Sequence, residues 1–140
     1  MNEIQKEFAQ KITKKLTLIP ISVFFLNPVD PVADNVPDYF EKIRKPMDLH
    51  TVTKKLESDS YASVEEWRKD VNLIWKNALT YHNEGTFINS IARELMDVFK
   101  NMSETIPKSE LDAWMFKVRK MQNKLDKLIN SKPRNTNENV

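Results

Sequence analysis

The sequence predicts an all-α protein: a four-helix bundle with one long first connection and an additional C-terminal helix. Two observations carry that expectation. The 140 residues include a single Gly and seven Pro, and five of the Pro lie between positions 20 and 46, so long stretches elsewhere are free of helix breakers. Within those stretches apolar residues recur at spacings of three and four, the period of one helix face.

The elements follow in order. From Asn2 to about Leu16, Ile4, Phe8, Ile12 and Leu16 form an i, i+4 row between Lys, Glu and Gln, which predicts an amphipathic helix with one buried face. Pro20 ends it, and the segment from Leu16 to Tyr39 reads as loop because each Pro lacks a donor and biases its predecessor away from helix. Ile21, Val23, Phe24, Phe25, Val29, Val32, Val36 and Tyr39 make that loop too apolar for a solvated linker, so it is expected to fold back on the bundle. Loops longer than about 12–15 residues are usually functional or disordered, and this one reads as functional.

A short helical turn is expected over Asp38–Ile43, with Pro37 presetting φ at its start. Asp48 suits the N-cap of a helix carrying Leu49, Val52 and Leu56. Ser63-Val64-Glu65-Glu66 has the spacing of a capping box, ahead of Trp67, Val71, Ile74, Trp75 and Ala78 at helical spacing as far as Tyr81. Gly85 breaks the pattern, and Ile88, Ile91, Ala92, Leu95, Met96, Phe99 and Met102 line the next face. These elements assign 1–106 to the bundle.

Residues 107–130 are expected to form a further helix. There Leu111, Trp114, Val118, Met121, Leu125 and Leu128 alternate by three and four in a heptad-like stripe. Packing of Trp114, Val118, Met121 and Leu125 on the bundle is the favoured reading, dimerisation through the same stripe the alternative. Residues 131–140 are almost devoid of apolar side chains and are expected to be disordered.

Composition narrows the function classes. A 40% hydrophobic fraction with three Trp, seven Phe and three Tyr suffices for one core. Without Cys there is no disulfide framework, thiolate metal site or thiol nucleophile. No run approaches the roughly 18 apolar residues of a membrane span, and the start MNEIQKEF lacks the apolar segment of a secretory signal, so an intracellular, soluble chain is expected. A net charge of +2 argues against a dedicated nucleic-acid site, although Lys11, Lys14 and Lys15 cluster in the first helix and Lys117, Arg119 and Lys120 in the last. The only histidines are His50 and His82, and neither a Gly-rich phosphate loop nor an HExxH pattern occurs. An enzyme is not expected, nor a cofactor or metal.

Pro28-Val29-Asp30, Pro37-Asp38-Tyr39-Phe40, Pro46-Met47-Asp48-Leu49 and Asn77-Ala78-Leu79-Thr80-Tyr81, in that order, closely resemble the bromodomain, the four-helix module that reads acetylated lysine. The resemblance covers roughly Ile4 to Glu104. It implies a left-handed bundle in which the first loop and the loop between the last two helices frame an apolar pocket for acetyl-lysine. Acetylation removes the charge, so the methylenes and methyl can be buried, while the amide carbonyl needs a donor at the pocket floor.

Carried onto this sequence, the resemblance places Val29, Asp34, Val36 and Tyr39 on the pocket wall and Ile88 beside the entrance, where a β-branched side chain narrows the channel. Val23-Phe24-Phe25 stands where the family commonly has Trp-Pro-Phe, so Phe25 matches and the Trp does not. Tyr81 matches the family's tyrosine, but the following residue, usually the Asn that donates to the acetyl carbonyl, is His82, with Asn83 one beyond. His82 could donate through its single neutral N–H. Alternatively Asn83 swings in, the pocket has lost acetyl-lysine affinity, or His82 is a loop histidine facing water. The reading is a nuclear, monomeric reader of acetylated histone or another acetylated protein, weak or atypical at its floor. The C-terminal helix is a candidate contact for other chromatin proteins. The alternative is a bromodomain-fold scaffold with a vestigial pocket that mediates protein–protein interaction.

Overall fold

A computed structural model of the chain describes residues 1–131. The described residues fall into two compact units, Met1–Ile106 and the segment from Pro107 onward. The first is the expected all-α, left-handed four-helix bundle, built from α1 (Glu3–Leu18), α3 (Leu49–Glu57), α4 (Val64–Tyr81) and α5 (Phe87–Ser103). The long connection between α1 and α3 contains a 3₁₀ helix, Pro20–Phe25, and the short α2, Tyr39–Lys42. The second unit contains α6, Glu110–Ser131. Ser131, expected in the disordered tail, is helical, and residues 132–140 of that expected tail lie outside the described residues.

Each bundle helix starts where a short polar side chain accepts an orphan backbone N–H. Asn2 opens α1 with a reciprocal cap the sequence reading did not single out. Its side chain accepts from the Gln5 N–H at 2.8 Å, and the Gln5 side chain accepts from the Asn2 N–H at 3.1 Å. Asp48 caps α3 as expected, accepting from Thr51 N at 2.9 Å and Thr51 Oγ1 at 2.6 Å. Ser63 caps α4 through Glu66 N at 3.3 Å, but the box is not reciprocal: the Glu66 carboxylate accepts from Ala62 N at 2.8 Å, one residue outside the cap. Thr86 caps α5.

The helices meet on α4 and α5, which are packed neighbours, with α1 against α3, α4 and α5. Ala9, Ile12 and Leu16 of α1, Leu49, Val52 and Leu56 of α3, Trp67, Val71, Ile74 and Trp75 of α4, and Ile91, Ala92, Leu95 and Phe99 of α5 close one core. Trp67 stacks edge-on to Phe99 with centroids 5.1 Å apart, and its buried indole N–H finds an acceptor in Thr13 Oγ1 at 3.1 Å. That hydroxyl in turn donates to Ala9 O at 2.7 Å, so the polar atoms at this junction are satisfied inside an apolar layer.

Between α1 and α3 the expectation of plain loop gives way to order. Pro20 needs no donor at the first position of the 3₁₀ turn, and Ser22 closes it with both N–H and Oγ bonded to Ile19 O at 2.9 and 2.6 Å. The next turn caps itself. Asp30 Oδ1 accepts from Val32 N and Ala33 N at 3.0 and 3.2 Å, and Asp34 Oδ2 accepts from Asp30 N at 2.9 Å. Asn35 there adopts φ 55, a left-handed conformation Asn tolerates better than most residues. The loop folds back only in part: Phe25 and Tyr39 are buried and Ile21, Val29 and Val36 half-buried, whereas Val23, Phe24 and Val32 are exposed.

The expected burial of Trp114, Val118, Met121 and Leu125 is not met. All four are exposed. The core cluster of the bundle is made of residues of its own unit, from Ala9 to Ile106.

One ionic cluster ties α3, α4 and their connection together. The buried Asp70 carboxylate accepts from Lys55 Nζ at 2.6 Å and Tyr61 OH at 2.8 Å, with Lys45 Nζ 3.8 Å away. Burial acts to raise the Asp70 pKa, but the bonds from Lys55 and Tyr61 outweigh it and hold the group below the ordinary carboxylate value, while burial and the carboxylate together push the Tyr61 phenol up. A carboxyl lowered in the folded state supplies stability that is present above its unfolded pKa of about 3.9 and lost as pH falls through the folded value. Asp70→Ala is therefore expected to cost about 1–3 kcal/mol at neutral pH by stranding two donors. Asp70→Asn should flatten the loss of stability below about pH 4, and urea unfolding as a function of pH checks both.

Candidate functional site

At one end of the bundle the long connection stands off the core and leaves a cavity of about 500 Å³. Its walls come from two sources. The connection supplies Val23, Phe24, Phe25, Asn27, Pro28, Val29, Asp30, Asp34, Val36, Tyr39 and Met47, and the bundle supplies Ile74, Ala78, His82 and Ile88. The connection is anchored on both sides of this void, by Phe25, edge-on to Trp75 with centroids 5.3 Å apart, and by polar bonds. Near its C-terminal end the buried Asn77 amide donates to Lys45 O at 2.8 Å, ahead of α3. Near its N-terminal end Leu26 O accepts from His50 N at 3.0 Å, and His50 Nδ1 lies 2.7 Å from Asn27 Oδ1.

Seven of the nine residues singled out from the sequence are brought together here: Phe25, Val29, Asp34, Val36, Tyr39, His82 and Ile88. Tyr81 and Asn83 are not among the lining residues. Tyr81 stands behind Tyr39, ring centroids 5.2 Å apart, and its hydroxyl donates to the Asp38 carboxylate at the start of α2. That bond, then the Lys42 ammonium 3.2 Å from the same carboxylate, lowers the Asp38 pKa, and the bond to Asp38 followed by burial raises that of Tyr81. Tyr81 thus fixes the helix that carries Tyr39. Asn83 is exposed, and its carbonyl accepts from Thr86 Oγ1 at 2.7 Å in the turn that opens α5.

His82 ends α4. Its N–H donates to Ala78 O at 2.9 Å, after which the backbone turns extended at φ −93, ψ 126. Its carbonyl accepts from the buried Asn89 amide of α5 at 2.8 Å, so the residue is clamped from both sides by main-chain bonds. The imidazole packs edge-on to Tyr81, centroids 5.0 Å apart. Desolvation by burial lowers its pKa below the ordinary histidine value, which keeps the ring neutral at pH 7, with one N–H donor and one acceptor nitrogen.

The cavity therefore offers mainly apolar walls, a neutral heteroaromatic edge, and two carboxylates, Asp30 and Asp34, on its exposed loop side. Among the described residues no group of His, Cys, Asp and Glu side chains could hold a metal ion. Nor is any described helix long and apolar enough to cross a membrane.

Sequence reasoning did not single out Met47, Ile74, Ala78 or Asn27 as wall residues, nor Asn77 and Asn89 as the bonds that hold the walls. A signal existed for both Asn. Each sits in register with the apolar face of its helix, and a polar residue in such a position must find a buried partner.

A family model described as bromodomain matches residues 6–94. The chain is 39% identical over 119 residues to the SWR1 complex bromodomain subunit bdf1 of Schizosaccharomyces pombe, covering 83% of this chain and 20% of that protein. It is 42% identical over 76 residues to transcription factor GTE1 of Arabidopsis thaliana, covering 54% and 20%. This chain thus spans about a fifth of the length of these two relatives. Among solved structures, the second bromodomain of Candida albicans Bdf1, bound to an imidazopyridine, superposes with a TM-score of 0.69 at 34% identity. The match covers 73% of this chain and 99% of that one.

The neutrality of His82 is open to direct measurement. A histidine whose folded pKa is depressed contributes stability that is present above its unfolded value of about 6.5 and is lost as pH falls below it. In a histidine-selective NMR titration His82 should titrate below its value in the unfolded chain, and His82→Gln should remove its share of the stability change between about pH 6.5 and 5. Titration at or above the unfolded value would mean that the ring is solvated.

Proposed function

Because the chain belongs to the bromodomain family, we propose that its cavity takes the side chain of an acetylated lysine, and that the module reads acetylated histone or a comparable acetylated protein in the nucleus. The observation that carries this reading is the meeting of Phe25, Val29, Val36, Tyr39, Ile88 and a neutral His82 around one cavity. An acetyl-lysine side chain is uncharged, with methylenes and a methyl suited to apolar walls and one amide carbonyl that needs a donor. The ring of His82, the residue clamped between α4 and α5, is the group placed to supply it. Asn83, exposed and turned into the next cap, is less well placed. The names of the relatives, a subunit of the SWR1 complex and a transcription factor, support a setting in chromatin and transcription.

The binding is weak for its class. An amide side chain carries two donors where a neutral imidazole carries one, and the imidazole projects it along a different direction. One misdirected bond to a buried carbonyl costs about 1–3 kcal/mol, equivalent to about tenfold to a hundredfold in affinity.

Calorimetric titration with acetylated and unmodified histone-tail peptides should show binding that depends on acetylation, strengthened about tenfold or more by His82→Asn and little changed by Asn83→Ala. Loss of binding in Asn83→Ala with no gain in His82→Asn would transfer the donor role to Asn83. If neither the wild type nor His82→Asn distinguishes acetylated from unmodified peptide at millimolar concentration, the cavity is vestigial and the bundle acts as a scaffold.

A further inference from the structure

The exposed stripe of α6 belongs to no part of the cavity. Leu111, Trp114, Val118, Met121, Leu125 and Leu128 are exposed at 68, 60, 36, 71, 58 and 63%, an apolar row far larger than the single exposed residues normal on a protein surface. Along one edge runs a second row, Lys117, Lys120, Lys124 and Lys127, again at spacings of three and four. With the apolar residues as a and d of a heptad, Glu110, Lys117 and Lys124 occupy g, so the edge is basic from Lys117 onward, while the e positions on the other edge are Met115, Gln122 and Ile129. None of the four lysines has an ion-pair partner among the described residues.

We propose that α6 is a docking helix for an acidic protein partner, one that presents an apolar row or groove bordered by carboxylates. A second copy of this chain fits poorly. Parallel pairing sets Glu110 against Met115, Lys117 against Gln122 and Lys124 against Ile129, with no ion pair formed, and antiparallel pairing in full overlap sets Lys117 against Lys124, like charge on like, so that only a shifted, shorter overlap would bring Glu110 to Lys124. A nucleic acid would neutralise the lysines and leave the apolar row wet. An anionic bilayer would take the apolar row but meet charge along one edge only. A carboxylate-bordered apolar surface answers both rows at once, and the one-sided lysines would set its orientation.

Trp114 supplies a specific signal, because Trp67 and Trp75 are fully buried and Trp114 alone is exposed. The full chain would be titrated with a helical peptide carrying Leu at a and d and Glu at e and g, and with its twin carrying Lys at e and g. The acidic peptide should shift Trp114 emission to the blue, bind about tenfold or more tightly than the twin, and weaken as salt rises. The double variant Lys117→Glu, Lys124→Glu, on an exposed face and checked for helix content by circular dichroism, should reverse that preference. The proposal fails if the two peptides bind equally or if neither binds at millimolar concentration. It also fails if sedimentation velocity finds the chain alone dimeric through Trp114, or if phosphatidylserine vesicles shift Trp114 as strongly as the acidic peptide.

Discussion

The cavity's loop wall depends on a hydrogen bond given by a buried side chain, together with the apolar anchor of Phe25 on Trp75. The long connection between α1 and α3 carries five Pro, so it cannot satisfy itself as regular helix, and the carbonyls that its own turns leave free must be met from outside. Asn77 does this where the connection passes α4, donating to Lys45 O from a site almost closed to water. An apolar residue at that position would leave the carbonyl orphaned, at about 1–3 kcal/mol, and would free the connection to collapse onto Ile74 and Ala78. The Asn77 bond and the Phe25 anchor together fix where the connection stands relative to α4.

The same logic governs the second wall. The end of α4 and the start of α5 are joined by the Asn89 amide on His82 O, and α2 is fixed to α4 by the Tyr81 hydroxyl on Asp38. Tyr81 therefore shapes the cavity without entering it. The charged groups nearby have their work elsewhere: Asp38 engages Tyr81 and Lys42, while Asp30 and Asp34 cap their own loop. What faces the cavity from the bundle is apolar apart from one neutral imidazole. Such a bundle-side lining suits the uncharged, amide-bearing guest proposed above.

The two units differ in how they treat their apolar residues. In the bundle, the large side chains at helical spacing close on one another, and even the Trp67 indole finds a buried acceptor. In α6 an equally regular row is exposed beside lysines with no ion-pair partner among the described residues. Periodicity is the same in both cases, and it does not by itself separate a core from an exposed face.

That contrast marks the division between sequence and tertiary structure here. The helices of the bundle, the caps at Asp48 and Ser63, the break at Gly85 and the family motifs are local patterns, and local chemistry dictates them. Seven of the nine residues singled out from the sequence line the cavity because the motifs lie at fixed offsets along a loop whose ends are anchored. The fate of Val32, the outward position of Asn83 and the supporting role of Tyr81 were not legible, because each depends on which element lies opposite. The exposure of Trp114, Val118, Met121 and Leu125 escaped for the same reason: a heptad row states that a helix has an apolar face, and the surfaces available in three dimensions decide whether its own chain covers it.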